Sequence, residues 1–429
     1  MTMRNERHAR GSSRRTLAAC VLAALALTAC DTEKWLDVSA PGLLPAENLE
    51  SPDAAPLLVN GAIGNFECAL GAAIMVTGII SDEFADAQLG AAQWPYDRRD
   101  ANTQPGGIYG TAGCTSAQGM GIYSPLSVAR WSADNAYRTL EAFTADQVAR
   151  RDSLMAASAL YAGFSLAHLG MAMCSAAIDE GPEITNQQLF AEAENRFATA
   201  LTLAQQANVP NYQHAANVGL ARVRLYQGNT AGAEAAAAQV PPGFRLEASA
   251  SASEGRRYNR IFHANVQARN YTIEPQSRNL MTEGVEDPRS LTVESGLRTS
   301  DGQIGWIQQK YLAYDSPIPI ARYEEAQLIL AEARGGQDAV DIINALRAPH
   351  GIPDYTGPTD AASIRNLIIE ERRRELFVEG FRMHDIHRFQ LPLVPAPGTE
   401  YPVKGGAYGN TTCLPLPDVE RFNNPTISG

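Results

Sequence analysis

The chain has 429 residues, 35 Lys+Arg against 47 Asp+Glu, a formal net charge of −12 and 45% hydrophobic residues. Such a composition supports a large buried core and sets the chain apart from disordered sequences. The acidic balance excludes non-specific nucleic-acid binding and charge-driven attachment to an anionic bilayer, both of which need a basic face. A mean hydropathy of −0.21 excludes a bundle of membrane spans.

Arg4, Arg7, Arg10, Arg14 and Arg15 precede an uninterrupted apolar run over residues 17–27. The run is shorter than the roughly 20 residues that cross a bilayer, and the pattern is that of an export signal. It closes in Leu27-Thr28-Ala29-Cys30, which resembles the bacterial lipobox, where the thiol is acylated and cleavage falls just before it. The resemblance predicts a signal peptide at 1–29 and lipidation at Cys30, with several acyl chains giving the anchoring that one alone does not. Removing residues 1–29 takes away five Arg and one Glu, leaving 30 basic and 46 acidic residues, a net −16. Residues 30–50, with Pro41 and Pro45 and no helical period, read as a lipidated tether.

Ser51-Pro52-Asp53 is a helix start, with a capping residue, Pro at the first position and an acid facing the dipole. Val59, Ala62, Ile63, Phe66 and Leu70 follow at helical spacing, and a second helix is expected over 72–84. Residues 85–122 are rich in Gly, Pro, Asn and aromatic residues without a stable period, long for a connection and therefore a first site candidate. Helix returns over 124–174, where the uncharged stretch 154–173 formally has the length of a membrane span. Its Ala, Gly, Ser and His content fits a helix buried on all sides instead. Thr185 to Gln188 forms a capping-box pattern before Phe190, Ala193, Phe197, Ala200, Leu201 and Ala204. Helices over 214–226 and 231–240, separated by Gly228-Asn229 and stopped by Pro241-Pro242, have the form of a tetratricopeptide unit. Residues 245–319 mix loops with short strands; helices resume at 320–333, 337–347 and 364–389, and the Pro- and Gly-rich residues 390–429 wrap over them.

No P-loop, dinucleotide-binding glycine motif, His-Glu-x-x-His or nucleophile elbow occurs, so no catalytic role and no cofactor is expected. His384 and His387 lack evident further ligands, and no metal is expected there. Ser81-Asp82-Glu83 with Asp86 reads as an acid cluster at a helix end rather than as a carboxylate pair or cation site. Cys68, Cys114, Cys174 and Cys413 have no Cys-x-x-Cys spacing. One or two disulfides are expected in an exported protein, with Cys174 in an apolar helix as an alternative buried thiol; the sequence leaves the pairing open. Extending the stripe Ile364, Leu367, Ile368 places Glu371, Glu375 and Arg382 on a buried face, which requires paired charges. Arg374 and Arg322 join this expected structural ion network.

A wider resemblance enters at these residues. The lipobox, Glu371-Arg372-Arg373-Arg374-Glu375-Leu376, Glu379-Gly380-Phe381-Arg382 and Asp385-Ile386-His387-Arg388 are similar to the SusD/RagB family of outer-membrane nutrient-binding lipoproteins. Lys310-Tyr311, Ile320 to Glu325, Ala331-Glu332-Ala333, Ile343 to Arg347, Leu414 to Pro417 and Asn424-Pro425 match as well. The resemblance implies a mainly α fold for residues 51–429, one domain of four tetratricopeptide-like helix pairs forming a scaffold under an irregular, loop-rich region with few short strands. It implies a surface-facing, lipid-anchored protein of the bacterial outer membrane, touching the membrane through its lipid alone. There it would deliver oligosaccharides, or sometimes peptides, to a SusC-like TonB-dependent transporter.

Sugars offer apolar C–H faces beside hydroxyl groups, so an aromatic platform with hydrogen-bonding neighbours is the expected ligand site. Trp94, Tyr96, Asp97, Arg98 and Asn102 supply one in the 85–122 segment, and Trp306 beside Gly305 supplies an aromatic in the other irregular region. Trp35 in the tether and Trp131 on a helix are weaker candidates. The competing reading is that Trp94 and Trp306 only anchor loops. The competing function is a tetratricopeptide-like scaffold lipoprotein that binds peptides or proteins and no glycan.

Overall fold

The computed structural model describes residues 51–90, 94–101, 107–115, 119–402 and 404–428. Cys30, the tether and Asn102 lie outside the described residues. The long helices are α1 Ala55–Ile80, α2 Tyr123–Glu141, α3 Arg151–Ala172, α4 Asn186–Gln206, α5 Pro210–Tyr226, α6 Thr230–Ala237, α7 Tyr323–Arg334, α8 Gly336–Arg347, α9 Ala361–Glu375 and α10 Arg382–Phe389. Consecutive helices pack as α1/α2, α3/α4, α5/α6 and α7/α8, and each pair also rests on the next, so the mainly α scaffold is a continuous stack of helix pairs.

Small residues make that stack close. A Cβ on Gly163 of α3 or Gly219 of α5 would come within 2.7 and 2.5 Å of the Phe197 ring, and one on Gly170 within 2.6 Å of Phe190. Phe197 of α4 therefore wedges between α3 and α5, and Phe190 packs onto α3, because those positions lack side chains. This explains the uncharged run at 154–173: α1 with its preceding turn and α3 are long and apolar enough to cross a membrane, but 78% and 94% of their apolar windows are buried inside the protein. Thr185 and Gln188 form the expected reciprocal cap of α4.

Three expectations from periodicity are corrected. The helices expected before and after residue 71 are one continuous α1, since Gly71 is a packing position where a Cβ would lie 2.9 Å from the Arg260 side chain. Residues 320–322 are not helical but extended, because Ile318–Arg322 pairs with Arg245–Ala248. The helix expected over 364–389 is broken into α9 and α10 by a turn in which Val378 and Gly380 take φ of +51° and +85°. Lys310 Nζ donates to the Glu375 and Phe377 carbonyls at 3.2 and 3.1 Å, closing the end of α9 with a cation where the dipole is negative.

The strands are short and pair two by two. They are β1 Phe84–Asp86, β2 Ser175–Ala176, β3 Ile184–Thr185, β4 Arg245–Ala248, β5 Tyr271–Ile273, β6 Met281–Thr282, β7 Val285–Glu286, β8 Thr292–Arg298, β9 Ile304–Gln308 and β10 Ile318–Arg322. The antiparallel pairs are β1–β5, β2–β3, β4–β10, β6–β7 and β8–β9. Disulfides join Cys68 to Cys114 and Cys174 to Cys413, so Cys174, just past the end of α3, is not a free thiol. The C-terminal segment is fastened there further, with the Leu414 N–H donating to the Ala172 carbonyl and the Cys174 N–H to the Leu414 carbonyl, both at 2.8 Å.

Candidate functional site

A one-turn helix, Trp94–Asp97, interrupts the loop-rich segment after β1. Asp97 fastens it: Oδ2 accepts the Asp86 backbone N–H at 2.9 Å and the Tyr401 hydroxyl at 2.5 Å. Tyr96 is 1% exposed, with its hydroxyl 3.4 Å from the Met120 carbonyl. Tyr96 and Asp97 thus face inward and hold the segment in place. Trp94 is half-buried, its indole Nε1 without a hydrogen-bond partner among the described residues. The Arg98 guanidinium lies 6.0 Å from the Trp94 ring centre and 5.9 Å from that of Tyr401, and pairs with Asp100 at 3.2 Å. Arg99 turns the opposite way, at φ +54°, to donate to the Val394 and Pro395 carbonyls and lie over Tyr408.

Trp306 sits on β9 opposite Glu294 of β8. Its backbone N–H donates to Thr272 Oγ1 at 2.8 Å, its carbonyl accepts from Asn265 at 2.9 Å, and its half-buried ring lies 5.1 Å from the Arg278 guanidinium carbon. Gly305 leaves room for this hairpin itself, since a Cβ there would meet Ser295 Oγ at 3.0 Å. The two tryptophans are carried by one strand pair: Trp94 through Asp97 and Asp86 of β1, Trp306 through Thr272 of β5. Arg278 and Tyr401, which complete these surroundings, carried no sequence signal, because their chain positions are remote from both tryptophans.

The acids at the end of α1 divide in two. Asp82 accepts from Arg382 at 2.6 and 2.7 Å, and Asp86 from Lys404 at 3.0 Å. Burial would raise the Asp82 carboxyl, but Arg382 outweighs it and holds the group below its ordinary range. Burial instead pushes Glu83 and Asp97 up to about 7 and Glu274 up to about 8. One Glu83 oxygen accepts the Val378 N–H at 2.8 Å while the other has no partner. Among the described residues no group of His, Cys, Asp and Glu is arranged to hold a metal. His384 packs against Tyr226 and Phe190, and burial pushes its imidazole down to about 3.

The ion network spans more of the chain than the α9 stripe. Glu371 accepts from Arg347 of α8 at 2.6 and 2.9 Å and from Arg289 at 2.7 Å. Glu375 accepts from Arg322 at 2.5 Å and from Arg289 at 3.4 Å; Arg322 continues to Glu379 at 3.0 Å, which Lys310 also meets at 2.5 Å. Arg374 stands at its edge, paired with half-exposed Glu370. Arg382, on a separate helix past the turn, serves Asp82 instead of α9. Arg289 and Arg347 complete the network without a signal of that role in the sequence, since the Asp287-Pro288-Arg289 loop has no periodicity that would place Arg289 in a core.

The sequence profile of the SusD family matches residues 188–413, more than half of the chain. No curated protein matches the sequence. Among solved structures, a SusD-like carbohydrate-binding protein from Bacteroides vulgatus aligns with a TM-score of 0.64 at 16% identity, covering 88% of this chain and 97% of its own. A SusD superfamily protein from Bacteroides vulgatus gives 0.66 at 16%, covering 88% and 98%. A laminarin-binding SusD-like protein gives 0.62 at 16%, covering 86% and 98%. At that identity the likeness is one of fold, and the profile match carries the assignment: the chain belongs to the SusD family.

Proposed function

We propose that this protein is a non-enzymatic, nutrient-binding lipoprotein of the bacterial outer membrane, anchored at Cys30, that captures oligosaccharides and passes them to a SusC-like TonB-dependent transporter. Membership of the SusD family carries this reading. It is supported by the two half-buried tryptophans with arginines against their rings, which combine apolar surface with hydrogen-bond donors as sugar recognition requires. The acids beside Trp94 are engaged in binding their neighbours, Asp86 to Lys404, Asp97 to Tyr401 and Asp100 to Arg98, which favours capture over hydrolysis.

The test is a glycan array followed by calorimetry on the chain without residues 1–29. Trp94→Ala and Trp306→Ala should keep the parent melting temperature and lose about 1–3 kcal/mol of binding, the worth of stacking an aromatic ring on a planar base. Loss of stability with binding retained would assign both rings to loop anchoring. Binding of proteins but no glycan would favour a scaffold. In cells, Cys30→Ser should abolish acylation and outer-membrane fractionation, and the parent should co-purify with a large barrel protein.

A further inference from the structure

Arg278 is a guanidinium held against an indole ring. It follows the turn Pro275–Ser277 after β5, and its Nε–H donates to the Ile273 carbonyl at 2.7 Å. That bond fixes the guanidinium 5.1 Å from the centre of the Trp306 ring. Among the described residues nothing accepts a hydrogen bond from its two terminal nitrogens, and no carboxylate pairs with it. The arginines of the ion network are different: Arg289, Arg322 and Arg347 all reach carboxylates at 2.5–2.9 Å.

The two acids near Arg278 do not replace such a partner. Glu274, whose carboxyl burial pushes up to about 8, makes no hydrogen bond or ion pair with Arg278 among the described residues and acts on it through space. Glu294, across the ladder from Trp306, acts on Arg278 only through space. Burial lowers the Arg278 pKa, and Glu274 and Glu294 offset it only in part. A guanidinium remains charged under such a shift, and its planar fork of N–H groups matches a carboxylate or a sulfate in a bidentate way.

We propose that the ligand of the Trp306 region is an acidic saccharide, one carrying a uronic carboxylate or a sulfate ester, whose anionic group is held by the Arg278 fork while its ring packs beside the indole. This deepens the glycan-binding reading above and rests on it. The overall charge, −12 for the full sequence and −16 without residues 1–29, would repel such a ligand at long range. The Arg278 guanidinium beside the indole supplies the local attraction. Arg98 does not duplicate the arrangement, since Asp100 already faces it.

The experiment is an array holding neutral, uronic-acid and sulfated oligosaccharides, followed by calorimetry of the strongest binder in each class against the parent, Arg278→Gln and Arg278→Lys. An acidic class should bind best, and Arg278→Gln should weaken it about tenfold or more, the effect of losing charge-assisted hydrogen bonds. Neutral sugars, which lose one neutral hydrogen-bond donor and no charge pairing, should weaken far less than the acidic class. Arg278→Lys, which keeps the charge but not the fork, should fall between. Reducing the carboxyl of a bound uronide should reproduce the loss, whereas removing sulfate should do so if the ester is the anchor. Melting temperatures should stay within a few degrees, because Arg278 is half-exposed. If a neutral glycan binds best, or Arg278→Gln leaves acidic binding unchanged, the inference is overturned while glycan capture stands. If no glycan of any class binds, the glycan reading itself fails and this inference with it.

Discussion

Replacing Glu371 by Ala tests the ion network most directly. Glu371 is 1% exposed and is the carboxylate that joins Arg347 of α8 to Arg289 of the irregular region. Its removal leaves Arg347 with the half-exposed Glu283 at 3.4 Å, and Arg289 sharing Asp287 and the more distant Glu375. Breaking a buried pair from one side costs about 3–5 kcal/mol, because the remaining charge keeps its desolvation penalty. The adjacent residue is an internal control: Glu370, with 49% side-chain exposure, also pairs with an arginine, Arg374, at 2.5 Å. Solvent screening should limit the cost of Glu370→Ala to about 1 kcal/mol or less. Urea unfolding followed by circular dichroism measures both. Equal losses in the two variants, or a loss below about 1 kcal/mol for Glu371→Ala, would falsify the claim that burial sets the worth of these pairs.

Acid should act through this network and through Asp385, which pairs with Arg372 and Arg388, each at 2.9 Å. Arginines outweigh burial to hold Glu375 and Asp385 down to about 2, below their ordinary 4.5 and 3.8, so this stability is complete above the unfolded pKa and is lost as pH falls from about 4 towards 2. A melting temperature that stays flat over that range would refute it. Glu83 has the opposite sign: its carboxyl is raised from 4.5 to about 7, so the parent loses stability as pH rises through that window. Glu83→Gln should therefore gain on the parent between pH 5 and pH 8, which paired melts at the two pH values will show. The disulfides close spans of 46 and 239 residues, which the chain-entropy model values at about 4 and about 5.5 kcal/mol. Serine replacement of both cysteines in each pair should rank in that order, and an undisturbed urea midpoint for either would count against it.

Much of the helical scaffold was readable because a buried helix face repeats along the chain and its caps are local. Thr185 with Gln188 fixed the start of α4, and the Ala- and Gly-rich run of α3 announced a helix surrounded by others. The failures share one cause. Gly71, Ile320 and Gly380 can each serve as a break, a strand residue or a packing contact, and the partner that decides is far away: Arg260 for Gly71, β4 for Ile320 and Ile74 of α1 for Gly380. The candidate site was legible only as residue types in an irregular stretch. Which of them face inward was set by Met120 for Tyr96 and by Tyr401 for Asp97.

By itself the sequence determined most of the helical segments, the acidic charge, the need for paired charges on α9, and the residue types that resemble the SusD family. These are properties of local period and composition, which every segment carries with it. Only the tertiary structure decided which arginines answer Glu371, that Arg382 belongs to Asp82, how the four cysteines pair, and that Arg278 stands against Trp306 without a carboxylate of its own. Such pairings depend on distances between residues tens to hundreds of positions apart. Those distances are fixed when the helices stack, and no spacing along the chain encodes them.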